Sequence, residues 1–105
     1  MRNIFMTVLG LIMYLTNFGQ PQQEIAFDKG VNLLKKGSYE EAIKIFSDVI
    51  PKATDKKLKK FCHVYRAFSY NGLSDFKKSV TELDTAIIID PYDIATFIDR
   101  SNTFL

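Results

Sequence analysis

The 105-residue sequence predicts an all-α fold built from antiparallel helix-turn-helix repeats. Three observations carry that prediction. Apolar residues recur at helical spacing from about Gln23 onward. Turn-forming clusters, Gly37-Ser38 and then Gly72 with Ser74-Asp75, break that spacing where short helical hairpins would turn. The pattern also copies itself at a fixed distance. Gly30, Tyr39, Ala42, Phe46 and Val49 each lie 37 residues before Ala67, Phe76, Ser79, Leu83 and Ala86. A partial third copy lies at an offset of 34, where Phe97, Arg100, Ser101 and Phe104 answer His63, Arg66, Ala67 and Tyr70.

Residues 1–19 differ in kind from the rest. Arg2 is the only charged side chain before Glu24, and Ile4 to Phe18 carries no charge. A basic start followed by an apolar run of this length has the form of a secretory signal peptide. The run is short for a membrane-crossing helix, which needs about 20 apolar residues. Gly19 before Gln20 offers the small residue that cleavage requires, although Asn17 is a poor residue two places earlier. No cysteine follows the run, so lipid attachment there is excluded. The alternatives are an uncleaved amino-terminal anchor or a buried first helix. The expectation is export, to the periplasm or beyond the cell.

Gln20-Pro21-Gln22-Gln23 reads as a polar leader. The first helix is expected from about Gln23 to Lys36, with Ala26, Gly30 and Leu33 in one apolar stripe and Phe27, Val31 and Leu34 in another. Gly37 stops it by taking the left-handed conformation. Ser38 is expected to cap the second helix, with Glu41 completing a capping box. That helix runs to about Ile50, burying Ala42, Ile43, Phe46, Val49 and Ile50, and Pro51 ends it. Residues 51–60 form a lysine-rich loop and helix start, capped by Thr54 or Asp55. A solvated helix face explains those lysines better than a patch for an acidic partner. The third helix is expected from about Lys56 to Asn71, and the fourth from about Asp75 to Ile89 with Val80, Leu83, Ala86 and Ile87 inward. Asp90-Pro91 breaks the fourth, and Asp93 caps a fifth that runs to Leu105.

The order of residues in Tyr65–Pro91 resembles the tetratricopeptide repeat, whose unit is about 34 residues. Ala67, Phe76, Ser79, Leu83, Ala86 and Pro91 supply its small, aromatic, small, large, small and proline positions. The segment Gly37–Phe46, GSYEEAIKIF, is the most family-like single stretch. The resemblance covers residues 23 to 105. It departs from the family in three extra residues at the first junction, an early Pro51 and a third unit with only its first helix. It implies an α-solenoid of about two and a half units: residues 23–54, residues 57–91, and residues 94–105 as an incomplete third. The repeat-packing positions would be Gly30, Tyr39, Ala42, Phe46, Ala67, Phe76, Ser79, Leu83, Ala86, Pro91, Phe97 and Ser101.

Composition limits the functions open to the chain. Its length suits one domain. A net charge of +2, or +1 without residues 1–19, is too small to argue for nucleic acid. One cysteine, Cys62, excludes an internal disulfide and a cysteine metal cluster. His63, the only histidine, is expected as a half-buried packing residue, since a base also needs an orienting partner. Glu40, Glu41 and Asp84 are expected to face water. No glycine-rich phosphate loop occurs. The expectation is no catalysis, no cofactor and no metal.

A binding module is therefore the leading expectation, an exported scaffold that docks a protein or peptide. The alternative is an envelope-assembly or enzyme-associated subunit that positions a catalytic partner. In the family the concave surface is lined by the first helix of each unit. The positions implied here are Phe27, Val31 and Leu34, then Phe61, Val64 and Phe68, then Ile98 and Asn102. Only Asn102 is polar, so the groove is expected to receive an apolar helix or peptide face rather than a terminal carboxylate. The apolar pair Phe104-Leu105 adds an expectation of self-association through the last helix, or of a chain that continues.

Overall fold

The computed structural model describes residues 21–91. The expected signal segment, the third unit and its positions Phe97, Ile98, Ser101 and Asn102 lie outside the described residues. Within them the chain is helical, with no strand. Four α-helices run in order: α1 (Pro21–Lys35), α2 (Tyr39–Val49), α3 (Lys56–Gly72) and α4 (Phe76–Ile89). A 3₁₀ turn, Ile50–Lys52, joins α2 to α3.

Each element has a local cause. Pro21 opens α1, where its missing N–H costs nothing. Gly37 closes it at φ +82°, with its N–H donating to Leu34 O and that of Ser38 to Leu33 O. Those two bonds displace the expected capping box. They commit the Ser38 N–H that Glu41 would have accepted, and they hold Ser38 at φ −85°, ψ 67°, where its hydroxyl makes no capping bond. Pro51 falls within the 3₁₀ turn, so α2 stops at Val49, one residue sooner than expected. Asp55 caps α3 by accepting from the Lys57 N–H at 3.1 Å, and Asp75 caps α4 by accepting from the Lys78 N–H at 3.2 Å. Asp90 and Pro91 end α4 as expected.

The turn between α3 and α4 differs from expectation. Gly72 is still helical, and the left-handed residue is Ser74 at φ +60°. The Ser74 N–H donates to Asn71 O and that of Asp75 to Tyr70 O. This is the bond pattern at Gly37 and Ser38, displaced by 37 residues. Gly72 serves another purpose. A Cβ there would collide with the Tyr39 ring, so the missing side chain seats that ring at the end of α3.

Short turns make α1 antiparallel to α2 and α3 antiparallel to α4, and α2 also packs along α3. The core has two clusters. Ala42, Phe46, Val49 and Cys62 form the first, under Phe27, Val31, Leu34 and Tyr65. Val64, Ala67, Leu83 and Ala86 form the second, with Phe68 against it. Gly30, Ala42, Phe46 and Val49 are buried, and so are the residues 37 further on, Ala67, Ser79, Leu83 and Ala86. Phe76 departs from its expected packing role, since it begins its helix 53% exposed, whereas Tyr39 is half-buried against Gly72.

Candidate functional site

Two features could carry function: the α1–α3 face expected to form a groove, and a partly buried polar chain between α2, α3 and α4. On the first, α1 and α3 run in the same direction, so their expected groove residues lie side by side. Aromatic packing ties them together. The Phe27 ring lies 5.7 Å from that of Phe46 and meets Tyr65 edge-on at 5.4 Å, and Tyr65 meets Phe68 edge-on at 5.4 Å. Phe27, Val31, Leu34 and Phe68 are half-buried, and Val64 is buried at 5% exposure. Phe61 is the most open of the six, at 36%, and the Lys60 ammonium sits 4.7 Å from its ring centre. Five of the six thus give much of their surface to the core: the α1 stripe closes over the Phe46 cluster, while Val64 and Phe68 lie in and against the second cluster.

The second feature was not anticipated from the sequence. Arg66 on α3 donates from Nη2 to Glu82 Oε1 at 2.7 Å and from Nη1 to Ser47 Oγ at 2.9 Å. His63, one turn earlier, bonds through Nδ1 to Glu82 Oε2 at 2.7 Å. An ionised carboxylate only accepts, so Nδ1 carries the proton. The chain Ser47–Arg66–Glu82–His63 therefore links α2, α3 and α4. In the sequence Glu82 looks like any helix-surface acid. The one signal that could have marked it is a basic residue and a histidine three apart on the facing helix.

The electrostatics fit a structural tie. Burial opposes the charge on Glu82, but its bonds to His63 and Arg66 outweigh that and hold its carboxyl below the ordinary value. Arg66 Nε is buried without a hydrogen-bond partner. His63 is 8% exposed, not half-buried as expected, and it has the orienting carboxylate that the sequence did not suggest. An oriented imidazole still needs a nucleophile or substrate within reach. The Ser47 hydroxyl is bonded to Arg66. The Cys62 thiol is buried, and burial pushes its pKa up to about 12, so it is held as the thiol.

Other expected positions are less consequential. Glu40 and Glu41 are exposed as expected, but Asp84 is half-buried. Lys60 is almost fully buried, with its ammonium 3.2 Å from Asp90 Oδ2, which joins the start of α3 to the end of α4. A shallow open depression between the two hairpin turns is lined by Ser38, Tyr39, Glu40, Glu41 and Leu73. Among the described residues no group of three or more His, Cys, Asp or Glu is placed to hold a metal ion. No described helix is long and apolar enough to cross a membrane. No protein-family model, curated protein or solved structure matches the chain.

Proposed function

We propose that the chain is a non-catalytic scaffold for protein–protein interaction, built from tetratricopeptide-like repeats in a short α-solenoid and exported by its amino-terminal segment. One observation carries the proposal. The two hairpins match at an offset of 37 residues in their buried small and large positions, and in the left-handed residue and paired bonds of their turns. A chance helical bundle has no reason to repeat its turn bonds in register with its core. Stacked hairpins of this kind present their first helices on one face. The proposed docking surface is therefore the α1–α3 face, and its occupant an apolar helix or peptide face. The role of an assembly subunit that positions a catalytic partner uses the same surface.

Phe61 is the residue to probe, since it is exposed and its loss disturbs little of the core. A photo-crosslinking residue at Phe61 in the full chain should capture a partner that one at exposed Lys44 or Lys77 does not. Equal capture from all three positions would defeat the α1–α3 surface. For export, the mature protein should begin near Gln20 by mass spectrometry, and an intact Met1 in a membrane fraction would instead establish an anchor.

A further inference from the structure

We infer that Asn71–Gly72 is a site of spontaneous backbone modification, and that the Tyr39 ring holds the reaction off by packing on Gly72. Of the chain's asparagines, Asn71 is the one followed by glycine. The absence of a side chain on the following residue leaves its backbone nitrogen free to approach the asparagine amide. In the reaction the Gly72 nitrogen loses its proton and attacks Asn71 Cγ. A bond forms between them, the Cγ–Nδ2 bond breaks, and ammonia leaves with the proton. Water then opens the cyclic imide at either carbonyl, giving aspartate or its isomer with the backbone running through the side chain. No oxidant or cofactor is needed.

The native structure opposes the attack. Asn71 and Gly72 form the last turn of α3, where helical geometry turns the Gly72 nitrogen away from Asn71 Cγ. The turn is pinned beyond them, because Asn71 O accepts from the Ser74 N–H at 2.9 Å and Tyr70 O from the Asp75 N–H at 2.9 Å. Asn71 Oδ1 is buried and accepts no hydrogen bond, so nothing stabilises the charge that would develop there during attack. Tyr39 reaches across from the first hairpin, and its ring fills the space where a Gly72 side chain would stand. Reaction therefore requires the end of α3 to open, and its rate tracks the open population.

The product would damage this contact. A carboxylate at Asn71 faces the negative end of the α3 dipole. The isomerised backbone cannot continue the helix that seats Tyr39. One event would loosen the packing between the two hairpins, so Asn71–Gly72 acts as a clock on their association.

Mass analysis of the tryptic peptide Ala67–Lys77 reads the reaction directly, through the amide-to-acid mass change and the separation of the two isomers. The full chain is aged at mildly alkaline pH, native and in urea. The native chain should react at least about tenfold more slowly than the unfolded one, and folded Tyr39→Ala should recover roughly tenfold, the factor that 1.4 kcal/mol of local stability gives. Tyr39→Phe keeps the ring and should keep the protection. Should Tyr39→Ala fail to fold, Tyr39→Leu makes the same comparison with less loss of packing. Equal rates in native and unfolded chains, or faster reaction at another asparagine in the unfolded chain, would overturn the site. A folded Tyr39 variant no faster than the parent would overturn the role of the ring.

Discussion

The Phe46 ring occupies the space that a side chain on Gly30 would need: a Cβ built on Gly30 would meet Phe46 Cε1 at 2.6 Å. Phe46 is fully buried, so the ring has nowhere to retreat. Gly30→Ala should therefore destabilise the chain, against the usual gain of about 1 kcal/mol for removing a helical glycine. With overpacking set at roughly 1–3 kcal/mol, the net loss should be up to about 2 kcal/mol. Urea unfolding read by circular dichroism measures it. The same overpacking is expected of Ala67→Leu at the equivalent position on α3, and an unchanged midpoint in both variants would show that neither hairpin packs this way.

A second expectation concerns acid stability. Glu82 has its carboxyl held below the ordinary value by His63 and Arg66. As the pH falls, the unfolded chain binds its proton first, so this contribution is present above the unfolded value and fades as pH drops through the folded one. The parent should lose stability below about pH 4.5, the ordinary value for this group, and Glu82→Gln should flatten that limb of the profile. Removing the carboxylate also strands Arg66. Glu82→Ala should cost roughly 3 kcal/mol near neutral pH, at the low end for breaking a buried pair because Arg66 and Glu82 both keep some exposure.

Cys62 supplies a built-in reporter. Its thiol is buried, with a pKa pushed up to about 12. A thiol-specific reagent should label it only as fast as the chain opens, and labelling against urea should trace the same midpoint as helix loss. Full labelling within the dead time in native buffer would contradict its burial in the first core cluster.

Ser74 carries a backbone strain that Gly37 does not. Both take positive φ at the close of a hairpin, but only glycine does so freely. Ser74→Gly should stabilise the chain by up to about 1 kcal/mol, and Gly37→Ser should cost a similar amount. Thermal melts of the two variants should move in opposite directions.

Periodic features of the fold were legible in the sequence. Ala42, Phe46, Leu83 and Ala86 are buried where helical spacing puts them. Gly37, Asp55 and Pro91 mark boundaries through their own backbone chemistry. The candidate surface was less legible. Phe27 and Phe61 both stand as apolar residues on a first helix, yet Phe27 packs on Phe46 and Tyr65 while Phe61 stays open. Spacing assigns a face, but only the crossing of α1 over α2 decides how much of that face is closed. For that reason Phe27→Ala is a stability variant rather than a clean probe of partner binding. Glu82 and Gly72 were opaque for a related reason: their roles are set by His63, Arg66 and Tyr39, which reach them from other helices.

The bonds from Ser47 through Arg66 and Glu82 to His63 begin on the first hairpin and end in the second. Neither hairpin can leave without breaking the Arg66 bond to Ser47 and drawing Cys62 and Tyr65 of α3 out of the first core cluster. An intermediate with one hairpin formed would hold Arg66 with no hydroxyl from Ser47, and its loss of packing would coincide with that loss of solvation. Melting should therefore be concerted, and amide exchange in α2 and α4 should slow to a common limit. A force drawn on either hairpin should end in a single rip rather than two.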